Sequence, residues 1–157
     1  MQNRVRVQVG LLDFEYCASL HIEHLKLNPD EVSAALQKLP QRTHQAGEAR
    51  TSPAGTSLKG TYPAGYWMSE LEVRNGENVA QFLDRIVVEL SPGHALLRQI
   101  VDDGGSVECF IGLFAKALCD QVFPSHILLK LGTLGIDLRL DYYKIEDLTD
   151  REDCTRQ

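Results

Sequence analysis

The sequence predicts an α+β sandwich, a mainly antiparallel sheet with helices packed on one face. Three observations carry this. Apolar residues alternate with period two in several separate runs; amphipathic helical segments with recognisable caps fall between those runs; and four of the strand-like runs each show one apolar face. A ferredoxin-like β-α-β-β-α-β core with an added helix and strand fits this order, provided that a long loop hides one strand; if it does not, a mixed sheet with parallel neighbours is the alternative.

The elements follow in order. Val5, Val7 and Val9 alternate with Arg4, Arg6 and Gln8, as in a strand with one wet face. Phe14, Tyr16, Ala18, Leu20 and Ile22 form a second apolar set, with Glu15, Cys17, Ser19 and His21 opposite. Asn28 is placed to cap a helix, Pro29 suits its first position, and Asp30 and Glu31 meet the positive end of its dipole. Val32, Ala35, Leu36 and Leu39 then share one helical face, and Pro40 stops it.

From Pro40 to Gly65 the periodicity disappears among prolines and glycines. A connection of that length inside a compact domain is usually functional or disordered. A short edge strand near Arg42 to Glu48 is expected within it. Tyr66 to Val73 reads as a strand with Trp67, Ser69, Leu71 and Val73 on one face. Asn75-Gly76 turns the chain, Asn78 caps a helix carrying Val79, Phe82, Leu83, Ile86 and Leu90, and Ser91-Pro92 restarts helix with Ala95, Leu96 and Ile100 inward. Gly104-Gly105 ends it. Val107 to Ala115 is a strand apolar on both sides, since Phe110, Gly112 and Phe114 face away from Val107, Cys109, Ile111 and Leu113. A helix over 125–134 buries Ile127, Leu128, Leu131 and Leu134 and breaks at Gly135. A last strand alternates Ile136, Leu138, Leu140 and Tyr142 with Asp137, Arg139, Asp141 and Tyr143. The reading is one domain over 1–145, with the long loop at 40–65, and an acidic tail at 146–157.

Composition excludes several function classes. The 157 residues carry 16 Lys and Arg against 22 Asp and Glu, a net charge of −6, which argues against duplex nucleic acid as partner. No apolar run reaches the roughly 18 residues of a membrane helix, and the first residues lack the apolar core of a secretory signal, so a soluble cytoplasmic protein is expected. Cys17, Cys109, Cys119 and Cys154 form no C-x-x-C pair, and in the reducing cytosol free thiols are expected, with Cys17 and Cys109 as small buried hydrophobes. No P-loop, nucleophile elbow, dinucleotide fingerprint or H-E-x-x-H motif is present. His21, Glu23 and His24 do not converge as ligands on a strand, because residue 24 points away from the other two. No metal, no cofactor and no catalytic residue is therefore assigned.

Several short phrases, in order, carry a resemblance. They are Ala18-Ser19-Leu20-His21-Ile22, Asn28-Pro29-Asp30-Glu31-Val32, Ala46-Gly47-Glu48-Ala49-Arg50, Gly65-Tyr66-Trp67-Met68-Ser69, Val107-Glu108-Cys109-Phe110-Ile111-Gly112 and Leu134-Gly135-Ile136-Asp137-Leu138. Together they span Tyr16 to Tyr143, and in them the sequence resembles a bacterial family of domains of unknown function, DUF4279. The resemblance implies a fold and supplies no activity, so it transfers no site residue.

Two expectations about function follow. The first is a non-catalytic protein-interaction module, of which an immunity-type inhibitor or a self-associating domain is one form; its partner surface would be Phe110 and Phe114 on the sheet face away from the helices. The second is a small-molecule or anion-binding protein or enzyme, with the 40–65 loop as a lid. Its ligand residues would be Arg42, His44, Glu48, Arg50 and Trp67, because arginine grips carboxylate or phosphate bidentately. Tyr62, Tyr66 and Trp67 would add an aromatic contact if exposed together; alone, Trp67 reads as a core anchor.

Overall fold

The structure, a computed structural model, describes residues 14–117 and 119–145. The Val5–Val9 run, Cys154 and the acidic tail lie outside the described residues. Among the described residues no helix is long and apolar enough to cross a membrane.

The strands are β1 (Phe14–His24), β2 (Arg42–His44), β3 (Ala49–Thr51), β4 (Ser57–Thr61), β5 (Gly65–Leu71), β6 (Ser106–Ala115) and β7 (Asp137–Lys144). The helices are α1 (Pro29–Leu36), α2 (Val79–Leu90), α3 (His94–Asp102) and α4 (Ser125–Leu134), with a 3-10 turn, Ser91–Gly93, between α2 and α3. Five strands form one sheet in the order β2-β5-β1-β6-β7, and β3 pairs with β4 in a separate hairpin. The first three junctions are antiparallel and β6–β7 is parallel, with α4 as its crossover. The α+β class with helices on one face holds. In detail the sheet is mixed: β1 lies antiparallel to both its neighbours, and the one parallel pair sits at the edge.

Parity decides which residues meet the helices. Phe14, Tyr16, Ala18, Leu20 and Ile22 of β1 share one face with Trp67 and Leu71 of β5 and with Val107, Cys109, Ile111 and Leu113 of β6, and all are buried in one core with Val32, Phe82, Leu83, Ile86, Leu97 and Leu131 from the helices. The caps act as their residue types predict. The Asn28 side chain accepts from the Asp30 N–H, and Asn78 with Gln81 forms a reciprocal capping box.

Arg85 braces the entry to α2. It donates to both Glu77 oxygens, to Glu89 and to the Glu72 carbonyl, while Lys38 reaches Glu89 from beyond α1.

Some sequence expectations are corrected. Helix α1 ends at Leu36, because Gln37 takes a left-handed cap at φ 51° and its N–H bonds the Ser33 carbonyl; Leu39 is thereby turned out, 83% exposed. In α3 the buried residues are Leu97 and Ile100, with Ala95 exposed, because the 3-10 turn shifts the helical phase. In α4 Leu128 is exposed. Cys17 is disulfide-bonded where a free thiol was expected. Cys109 and Cys119 are free, and burial pushes the Cys109 thiol up to about 12.

Candidate functional site

The stretch from 40 to 65 is ordered into β2 and the β3–β4 hairpin. Strand β2 adds to the sheet edge with Arg42 opposite Met68 and His44 opposite Tyr66. Opposed residues of an antiparallel pair share a face, so Arg42, His44, Tyr66 and Met68 all lie on the side away from the helices. The chain then turns at Gly47, which has φ 86°, and Gly47 and Tyr62 clasp the base of the hairpin through Gly47 N–H to Tyr62 O (2.8 Å) and Tyr62 N–H to Glu48 O (2.9 Å). The Tyr62 hydroxyl donates to the Thr51 carbonyl at 3.0 Å and accepts from the Thr51 N–H at 3.2 Å, pinning the ring against β3.

Folded this way, the hairpin and β2 enclose a cleft of about 470 Å³, within the size range of small-molecule sites. Gln41, Arg42, His44 and Met68 line it from the sheet, and Glu48, Ala49, Thr51, Ser52, Pro53 and Tyr62 from the hairpin. Ring stacking fixes the His44 imidazole: its centroid lies 3.5 Å from that of Tyr62, with the rings 10° from parallel, and 5.2 Å from that of Tyr66, at 17°. The Arg42 guanidinium sits 5.9 Å above the Tyr66 ring. Burial and the Arg42 charge hold the His44 imidazole below its ordinary value, against the pull of Glu48 and Glu23, so at neutral pH it is uncharged. Its Nδ1 is buried and finds no hydrogen-bond partner among the described residues. The cleft thus presents a cation, a neutral imidazole and, on the hairpin wall, a carboxylate.

Of the residues expected to hold a ligand, Arg42, His44 and Glu48 come together here. Arg50 does not: alternation along β3 turns Ala49 and Thr51 to the cleft and leaves Arg50 exposed on the other side. Trp67 does not either. It faces the helices, fully buried, and its indole N–H donates to Ser33 Oγ at 3.0 Å. Tyr62 and Tyr66 share the site through His44, without Trp67. Gln41 and Met68 were not foreseen; period-two reading from Tyr66 would have placed Met68 beside it.

The rest of the helix-free face is a polar and aromatic row. Ser19 Oγ lies 2.7 Å from His21 Nε2, and His21 Nδ1 lies 2.8 Å from the Tyr66 hydroxyl. The His21 ring is 6.0 Å from Phe110, over which the Arg139 guanidinium sits at 5.7 Å. Burial and Arg139 lower the His21 pKa. With both ring nitrogens engaged and Ser19 buried, this is a satisfied network joining β1 to β5. Phe110 and Phe114 lie on the predicted face, yet they are only 5% and 6% exposed, Phe110 beside His21 and Arg139, Phe114 stacked on Tyr143 at 5.0 Å. They form no open apolar strip. His24 Nδ1 accepts from the Lys26 N–H, apart from His21. Among the described residues no group of three His, Cys, Asp or Glu gathers as a metal site.

Comparison with known families gives one match. The family described as domain of unknown function DUF4279 matches residues 14–144, which includes every strand and helix above. No curated protein and no solved structure matches the chain.

Proposed function

Since the chain belongs to the DUF4279 family, a domain of unknown function, we propose from its geometry that it is a binding module whose cleft between β2 and the β3–β4 hairpin takes a small polar ligand bearing a carboxylate or phosphate. The observation that carries this is the meeting of Arg42, His44 and Glu48 on one cleft, with His44 stacked on Tyr62 and Tyr66. Arg42 is the anion contact. Glu48, on the facing wall, selects against a purely anionic ligand and favours one that also carries a hydrogen-bond donor or a positive group. The reading is recognition: on the hairpin wall the Tyr62 hydroxyl is engaged both as donor and as acceptor by Thr51, and Ser52 Oγ accepts from the Thr56 N–H at 3.0 Å.

Thermal shift tests it, with inorganic phosphate, citrate and amino acids as probes. A ligand at a hundredfold excess over its Kd stabilises by about 2.7 kcal/mol, a rise of roughly 5–10 °C for a domain of this size. Arg42→Ala abolishes the rise, while Arg50→Ala, outside the cleft, keeps it. An anion beside His44 also favours the protonated imidazole, so binding tightens as pH falls from 7.5 towards 6. Equal loss of the shift in Arg50→Ala, or no shift with any probe class, refutes the site.

A further inference from the structure

The two edges of the sheet are unlike. The β2 edge is three residues long, short enough to be poor in free pairing groups, whereas β7 runs for eight, and among the described residues no strand lies beyond it. On the helix side of β7, Leu140 and Tyr142 are 41% and 42% exposed, large apolar side chains on the outermost strand among the described residues. On the other side Asp137, Arg139 and Asp141 alternate. Charges usually blunt such an edge, and a run of one sign would repel any copy of itself. Opposite signs two residues apart do something else.

Antiparallel pairing of β7 with its own copy, about a twofold axis normal to the sheet, places residues of the same face opposite each other. The three central registers then differ in charge. With Arg139 on the axis, Arg139 meets Arg139 and Asp137 meets Asp141, all like pairs. With Asp141 on the axis, Asp141 meets Asp141. With Leu140 on the axis, Arg139 meets Asp141 twice, Leu138 meets Tyr142 twice and Leu140 meets Leu140.

From this we infer that the domain self-associates through β7, antiparallel, with Leu140 on the twofold, making one continuous sheet across two copies. Arg139 is suited to the contact: its side chain is half exposed, it lies over Phe110, and within its own chain it already pairs with Asp141 at 3.3 Å, an arrangement the second copy extends. The Tyr142 hydroxyl is anchored on the Ala117 carbonyl at 2.7 Å, which presents its ring in a fixed position. The cleft stands at the opposite edge and stays open in the pair. Edge pairing of this length buries little area, so the association is reversible and in the micromolar range.

Sedimentation equilibrium of the full chain between 1 and about 200 µM reads it. The wild type shows a reversible dimer. Asp141→Arg sets like charges across the axis and weakens it at least tenfold; adding Arg139→Asp restores it. Independently, Leu140→Cys gives a disulfide-linked dimer on mild oxidation that the wild type, with its own cysteines, does not. A monomer throughout the range, a dimer indifferent to Asp141→Arg, a charge swap that fails to rescue, or no link through Leu140→Cys overturns the inference.

Discussion

Removing one hydroxyl from α1 should be felt by the tryptophan of β5. The Trp67 indole is fully buried and its N–H has Ser33 Oγ as acceptor at 3.0 Å, while the Ser33 hydroxyl itself donates to the Pro29 carbonyl at 2.9 Å. Ser33→Ala leaves the indole N–H without a partner where water does not reach, at a cost of about 1–3 kcal/mol. Alanine returns up to roughly 0.7 kcal/mol as the better helix former, so the net loss is about 0.3–3 kcal/mol, or roughly 1–12 °C in Tm for a domain of this size. The assay is thermal unfolding followed by far-ultraviolet circular dichroism, which reads the protein with and without its single tryptophan alike. Trp67→Phe removes the N–H, so in that background Ser33→Ala keeps only its helix-propensity gain of up to roughly 0.7 kcal/mol, giving a coupling of about 1–3 kcal/mol in the double-mutant cycle. Equal effects of Ser33→Ala in both backgrounds, or a higher Tm in the wild-type background, would refute the assignment of this hydrogen bond as the tie between α1 and the sheet.

Two further outcomes are expected. Gly65→Ala places a Cβ 2.7 Å from Leu27 Cβ and 3.2 Å from the His24 carbonyl, so the turn after β1 must move; overpacking of this kind costs about 1–3 kcal/mol, and urea unfolding should show it, with a neutral result meaning that the turn is softer than it is drawn. Stability should also fall as pH drops below about 6.5: His21 and His44 are held low by burial and by Arg139 and Arg42, so the folded state resists protons that the unfolded chain accepts. That loss precedes the one expected from Glu77 and Glu89, which burial raises but Arg85 holds lower overall, so that their contribution is lost only below the ordinary Glu value of 4.5. Replacing both histidines by asparagine should flatten the Tm profile between pH 7.5 and 5.5; an unchanged slope counts against both shifts.

Much of the fold was legible because its signals are local. Asn28-Pro29 and Asn78 announce helices from the cap alone, and the alternation in 14–22, 107–115 and 137–143 assigns each residue to a face without any knowledge of neighbours. What was not legible depends on something outside the window. Strand β2 falls inside the 42–48 stretch where an edge strand was expected, but β3 is three residues long, too short to show a period, and exists because Tyr62 holds it. The phase error in α3 comes from a three-residue 3-10 turn that reads as helix. For the site, the sequence gathered Arg42, His44 and Glu48 because they are near in the chain, and included Arg50 for the same reason; only the hairpin's own alternation separates Arg50 from the rest.

The same logic explains why the face of Phe110 and Phe114 was legible in the sequence and their exposure was not. Face follows from parity within β6, but exposure follows from His21, Arg139 and Tyr143, which come from β1 and β7 and reach across the sheet. The sheet is therefore two structures back to back. Leu20, Ile22, Trp67 and Ile111 point into a dry core where shape and apolar area set the cost of change. Their immediate chain neighbours, Ser19, His21, Tyr66 and Phe110, belong to a row whose cohesion is hydrogen bonding, ring contact and two guanidinium groups over aromatic faces. That row runs from Tyr62 and His44 at the cleft to Arg139 at the far edge, and within it Ser19, His21 and Tyr66 satisfy one another while His44 Nδ1 finds no partner among the described residues. In these strands, one step along the chain is the difference between a residue that holds the fold and one that shapes the surface a ligand or a second copy would meet.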